Sequence, residues 1–167
     1  HLCRLTGKKG FDPEAYKKFQ PLLNHLAGKL RFPVKLSIRD GEEFINVCSA
    51  QATWDVSLFS EPGTRCPVDC SSSVGTVFFA EAGGKGCDAE SRKRIADYHK
   101  TGSSFNPGTL DPGSRFHVDT LSFPVHRGDS LLAVLSVLSI PGMLARADWT
   151  EIGAEVRRTI DRALKLF

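Results

Sequence analysis

The chain has 167 residues, which suits one domain with its own hydrophobic core. Its 22 basic and 19 acidic residues leave a formal net charge of only +3, which excludes the strongly basic surface expected of a nucleic-acid-binding domain. No apolar stretch approaches the roughly 20 residues that a membrane-spanning helix needs, and the first residues lack the pattern of a secretory signal.

The cysteine content indicates a reducing compartment. The chain has five cysteines, an odd number, and it is too long to need disulfides for stability. They are Cys3, Cys48, Cys66, Cys70 and Cys87. We therefore expect a cytoplasmic protein with no membrane partner.

The first predicted elements are a helix and a β-hairpin. Asp12 is expected to cap a helix that has Pro13 at its first position, and Pro21 should kink or interrupt that helix. Residues 34–47 then alternate between apolar and polar, with a turn at Asp40-Gly41. This pattern predicts two antiparallel strands joined by a tight turn.

Two helices are predicted in the middle of the chain, after a loop at 60–70. Three serines, Ser71 to Ser73, stand directly before the apolar run 74–79, which predicts a helix with hydroxyl groups at its start. Residues 88–101 form a polar helical pattern that ends at Gly102, a residue typical of the position just past a helix.

The last third of the chain predicts a second hairpin and a final helix. A turn-rich loop at 103–117 precedes a strand, a turn at 127–129 and an apolar strand from Leu131 to Ile140. Asp148, followed three residues later by Glu151, is typical of a helix start. The hairpins imply antiparallel pairing, so we predict one α+β domain with helices packed on a sheet.

Four stretches resemble, in order and spacing, the effector-binding domain of IclR-type bacterial transcription regulators. The resemblance covers nearly the whole chain and depends on the combination, since no single stretch is highly specific. The four stretches are "CRLTGKK", "PLLNHLAGKLRFPVKLSIRDGEEFINV", "PGTRCPVDCSSSVGTVFFA" and "LSFPVHRGDSLLAVLSVLSIPG".

The resemblance implies a GAF-like curved antiparallel sheet with helices packed on both faces. It also implies a pocket for a small organic-acid effector, a homodimer or homotetramer, and DNA contact only through an absent N-terminal winged helix-turn-helix domain. Residues 1–12 are then the remnant of a linker, and residues 13–167 are the effector-binding domain. We expect no enzyme activity, no cofactor and no metal.

The start of the serine helix is the first candidate for effector binding. The Ser72 and Ser73 hydroxyls and the amides of Val74 and Gly75 offer donors for a carboxylate. Ser136 lies among apolar neighbours, so an inward hydroxyl there must find a partner. We expect these groups to face each other across a hollow. Helix capping by the serines is the alternative.

Further candidates come from the resemblance. The family's two effector contacts before its motif glycine fall on Ser73 and Val74, and its pair of strand serines falls on Ser136 and Leu138. A contact on the preceding strand falls on Thr120, beside Asp119, and an acidic loop position falls on Asp111. An Asp that starts a turn before Pro112-Gly113 is the alternative for Asp111.

Other interpretations stay open at this point. Phenylalanines at 59, 78, 105 and 123 could form an apolar wall for an aromatic acid, or simply belong to the core. His117, Asp119 and His126 loosely permit a metal site. The main alternative function is a GAF-like cysteine-dependent redox enzyme or redox sensor that uses Cys70 at a helix start.

Overall fold

The computed structural model describes residues 13–52, 62–114 and 116–166, and it places five α-helices and six strands in them. The helices are α1 (Pro13–Lys17), α2 (Gln20–Leu30), α3 (Ser73–Glu81), α4 (Ala89–Thr101) and α5 (Trp149–Leu164). The strands are β1 (Val34–Asp40), β2 (Glu43–Ala50), β3 (Arg65–Pro67), β4 (Ser104–Asn106), β5 (Asp119–Arg127) and β6 (Ser130–Ser139). A short 3-10 helix covers Leu144–Arg146.

The strands form one curved antiparallel sheet in the order β3-β2-β1-β6-β5-β4. Both predicted hairpins are confirmed, β1 with β2 and β5 with β6. The two edge strands were not predicted, and both lie in segments that we had assigned to loops. Each has only three residues, and one ends in a proline, so neither carries a strand pattern of its own.

The helix boundaries follow local signals in the sequence. The helical conformation is interrupted between α1 and α2. Pro21 stands in the first turn of α2, where a proline is tolerated. Asp88 caps α4, and Gly102 ends it with a φ of 76°. Asp148 caps α5 by accepting from the amides of Thr150 and Glu151. The predicted cap at Asp12 lies outside the described residues.

The sheet carries a separate hydrophobic core on each face, as the fold prediction required. Helices α2 and α5 cover one face, where side chains such as Leu26, Leu121 and Val156 are buried. Helices α3 and α4 lie on the other face, which we call the α3 face, over side chains such as Phe44 and Val134. The predicted α+β fold with helices on both faces is therefore confirmed.

A polar cluster joins the end of α3 to α4 and β5. Tyr98 donates to one oxygen of Glu81, and His126 Nε2 lies 3.0 Å from the other. Burial opposes ionisation of Glu81, but the hydrogen bonds from Tyr98 and His126 outweigh it and lower the pKa of Glu81.

In the described part of the chain, no helix has the length and apolar character needed to cross a bilayer.

Candidate functional site

The three consecutive serines at the start of α3 have different partners. Ser71 bonds to the carboxylate of Asp69 through both its hydroxyl and its amide. Ser72 is the helix cap, because its Oγ accepts from the amide of Gly75 at 3.0 Å. Only Ser73 is fully buried. The capping alternative therefore holds for Ser72, whereas the Ser73 hydroxyl serves another purpose.

Gly75 allows the loop before α3 to fold tightly against the helix. A Cβ atom at Gly75 would lie 2.2 Å from the backbone oxygen of Asp69, a distance that no side chain tolerates. Its neighbour Val74 is buried in the core of the α3 face. The predicted motif glycine thus has a steric role that positions the first turn of α3.

A chain of three buried hydroxyls connects α3 to the sheet. The Oγ atoms of Ser73 and Ser122 lie 2.8 Å apart, and the Oγ atoms of Ser122 and Ser136 also lie 2.8 Å apart. All three side chains are inaccessible to solvent. From the sequence we expected Ser73 and Ser136 to face each other across a hollow. The hydroxyl of Ser122 occupies that place instead.

The hydroxyl chain belongs to a row of polar side chains that crosses five neighbouring strands. Strand pairing sets Ser122 opposite both Ser104 and Ser136, and sets Lys35 opposite both Ser136 and Ser49. Residues paired in this way project from the same face of a sheet, here the α3 face. We call Ser104, Ser122, Ser136, Lys35 and Ser49 the polar row.

Two β-bulges align the polar row. Pairing shifts by one residue between Val125 and His126 in the second hairpin, and between Leu36 and Ser37 in the first. Without the extra residue at this bulge, Leu132 of β6, Ser122 would stand opposite Leu135 rather than Ser136. A one-residue slip moves side chains to the other face, so each bulge decides which groups share the α3 face.

Lys35 is the cation of the polar row. Its side chain is half-buried, and removal from solvent lowers the pKa of its ammonium group, although Coulomb interaction with Cys66 opposes that shift. Two residues further along β1, Ser37 is fully buried and points to the same face. No described residue accepts from or donates to the Ser37 hydroxyl. Neither Lys35 nor Ser37 was predicted from the sequence.

The two predicted aspartates lie away from the polar row. Asp119 is buried on the opposite face of β5, where its carboxylate accepts from the amides of Gly108, Gly142 and Ala145. It therefore holds two loops together. Asp111 is exposed and accepts from the amide of Gly113 at 2.9 Å, which is the turn alternative.

Thr120 and Leu138 do lie on the α3 face. They pair with each other, two residues along the strands from the pair of Ser122 and Ser136, and Leu138 is buried. Ser139, the serine next in sequence, faces the other way and accepts from the amide of Leu144. Leu138 thus takes the place on this face that a second serine was expected to hold.

The proposed aromatic wall does not assemble. Phe78 packs on the α3 face against Phe44, whereas Phe105 and Phe123 belong to the core on the other face. Phe59 lies outside the described residues. A wall around one pocket would require these side chains to share a face, so the alternative holds that Phe78, Phe105 and Phe123 belong to the core.

Cys70, the residue considered for the redox alternative, lacks the lowered thiol pKa of a reactive cysteine. Cys70 lines a groove of about 490 Å³ beside α4, together with Cys87 and Arg94. Burial raises the pKa of the Cys70 thiol, and burial raises that of Cys48 to about 11. A reactive thiolate requires a lowered pKa. All four described cysteines are free thiols.

Two of the three residues considered for a metal site, Asp119 and His126, have other partners. Asp119 holds backbone amides, and His126 pairs with Glu81. Within 13–52, 62–114 and 116–166, no group of three or more His, Cys, Asp or Glu side chains is placed to hold a metal ion.

Comparison with known proteins gives a result for structure but not for sequence. No family model matches the sequence, and no curated protein matches it. An IclR homolog from Microbacterium hydrocarbonoxydans, solved with 4-hydroxybenzoate, superposes with a TM-score of 0.70 at 16% identity. The match covers 95% of this chain and 70% of that one. The chain therefore has the same fold as the C-terminal domain of IclR-type regulators.

Two further regulators of known structure superpose on this chain to a similar extent. An IclR-family regulator from Brucella abortus gives a TM-score of 0.66 at 15% identity, over 99% of this chain and 66% of that one. A double mutant of the PobR inducer-binding domain from Acinetobacter, solved with 3-hydroxybenzoic acid, gives 0.67 at 14% identity. It is covered over 98% of its length, with 92% of this chain. This chain thus shares its fold with the PobR domain over nearly the whole length of that domain.

Proposed function

We propose that this chain is the regulatory domain of an IclR-type transcription regulator and that it senses a small organic acid. The observation that carries the proposal is the polar row beneath the start of α3, on a fold shared with regulators solved with hydroxybenzoates. Polar groups that converge in an otherwise apolar setting are typical of ligand sites.

The chemistry of the row favours an acid. It combines four hydroxyl groups with one ammonium group and contains no carboxylate. The start of α3 faces the same region through Ser73, and the amino end of a helix favours negative charge. A carboxylate ligand would therefore meet donors from both the sheet and the helix.

Regulation would follow from a shift between assemblies of the full regulator. A ligand that binds one arrangement of a dimer or tetramer more tightly increases the population of that arrangement. DNA contact would lie in a separate winged helix-turn-helix domain, since the net charge of +3 gives this chain no strongly basic surface.

The test is ligand-dependent stability. The chain should be titrated with monocarboxylic acids ranging from acetate to 3- and 4-hydroxybenzoate, and its melting temperature followed. A ligand that binds only the folded state, at 100 times its Kd, stabilises by about 2.7 kcal/mol. No substrate turnover is expected under the same conditions.

Two matched variants locate the site. Ser136→Val removes a hydroxyl from the polar row, and Ser130→Val makes the same change at the exposed start of the same strand. Stabilisation by the acid should be reduced in Ser136→Val and retained in Ser130→Val. If no acid stabilises the parent chain, or if both variants respond as the parent does, the proposal is wrong.

A further inference from the structure

We propose that Lys35 is the specificity-determining residue for the acid, because its ammonium group pairs with the ligand carboxylate on the α3 face. The inference rests on the proposed function and deepens it: the ligand must be an anion, and an uncharged analogue of the same shape should bind poorly. No feature of the sequence had singled out Lys35, which stands in a plain strand pattern.

The position of Lys35 in the sheet supports this role. It lies on β1, between β2 and β6, so it stands in the interior of the sheet, between Ser136 and Ser49 of the polar row, rather than at a sheet edge. Its side chain alternates with those of Val34 and Leu36, which are buried on the opposite face. Ser136 and Ser49 stand directly beside it, at the separation of about 5 Å typical of opposed residues.

The charge of Lys35 is not balanced by a described carboxylate. Arg65, two strands away, pairs with both Asp40 and Glu43, whereas among the described residues the charge effect on Lys35 comes from Cys66. Desolvation of an uncompensated cation is unfavourable, and here it lowers the pKa of the ammonium group. An incoming carboxylate would restore the balance.

Ser37 supplies an independent sign of a ligand on the same face. Its hydroxyl is fully buried and has no hydrogen-bond partner among the described residues. Buried hydroxyls normally have partners, and one left alone costs about 1–3 kcal/mol. Lys35 and Ser37 lie two residues apart on β1, about 7 Å along the strand. The ammonium group and the hydroxyl without a described partner are therefore close enough for one small molecule to contact both.

The experiment compares Lys35→Met with Lys100→Met, which makes the same change at an exposed position of α4. Each protein is titrated by calorimetry with benzoate and 4-hydroxybenzoate and with the corresponding amides, together with acetate and acetamide. The parent and Lys100→Met should prefer each bound acid over its amide. In Lys35→Met, the Kd of the acid should rise at least about tenfold, and that of the amide should change little.

The ligand-free proteins give a second readout. If Lys35 serves binding rather than folding, removing its desolvated charge should leave the melting temperature of Lys35→Met equal to or above that of the parent. A lower melting temperature together with an unchanged preference for acid would show a structural role and overturn the inference, while the proposed function would stand. Failure of every acid to bind the parent would overturn both.

Discussion

Replacing Ser122 by alanine should be more harmful than replacing either serine that it contacts. Ser122 is the middle member of the buried hydroxyl chain and bonds to both Ser73 and Ser136. Losing either end of the chain leaves Ser122 with one of its two bonds. Losing Ser122 leaves two buried hydroxyls without the hydrogen bond that each of them made.

The magnitudes follow from this geometry. Ser73→Ala or Ser136→Ala should each cost about 1 kcal/mol, the net value of one hydrogen bond. Ser122→Ala should cost about 2–4 kcal/mol, because each stranded hydroxyl carries a desolvation penalty of about 1–3 kcal/mol. For a chain of this size, each kcal/mol lowers the melting temperature by roughly 2–4 °C.

Urea unfolding followed by circular dichroism measures these free energies. Ser130→Ala, at an exposed position of β6, is the matched control and should change the free energy of unfolding by less than about 0.5 kcal/mol. Replacing Ser73, Ser122 and Ser136 together should cost less than the sum of the single changes, since no polar group is then left stranded. The reasoning is refuted if Ser122→Ala is as mild as the control, or if the triple variant is simply additive.

Three further changes test other parts of the structure. Gly75→Ala should destabilise the protein by roughly 1–3 kcal/mol in urea unfolding, because the new Cβ meets the Asp69 backbone. Gly28→Ala, which has open space around it in α2, should stabilise the protein by about 0.5–1 kcal/mol. Equal effects of the two changes would contradict this expectation. Asp148→Ala should remove the cap of α5 and cost about 1 kcal/mol by the same measurement. Asp148→Asn should retain most of the stability that the cap provides. Folding lowers the pKa of Glu81 from its ordinary value of 4.5. The parent should therefore be more stable than Glu81→Gln at neutral pH, and this difference in stability should disappear as the pH falls through the lowered value. A difference that persists at pH 2 would show that the carboxylate charge is not its source.

Most of the fold could be read from local signals along the chain. Apolar alternation and the turns near Gly41 and Gly128 predicted the hairpins, and Gly102 and Asp148 marked helix ends that the structure confirms. The edge strands β3 and β4 were missed because they form only by pairing with β2 and β5, which lie far from them in sequence. Their residues carry no strand preference without those partners.

The candidate site was only half predicted. Ser73 and Ser136 lie at the two ends of one hydroxyl chain, in line with the expectation that a serine in an apolar strand needs a buried partner, and their contact with an effector stays a prediction. The two aspartates were chosen by position along the chain, and the structure uses them for loops and a turn instead. An acidic residue near a loop looks the same in sequence whether it binds a ligand or a backbone amide.

Residue identity set which side chains on each strand are polar, because alternation along a single strand is a local property. It did not set which of those side chains meet. Each hairpin contains a bulge that shifts its pairing by one residue, and these two shifts bring Ser122 opposite Ser136 and Lys35 opposite Ser49. A bulge is selected by how the whole sheet curves and packs under its helices, so the polar row exists only once the sheet has assembled.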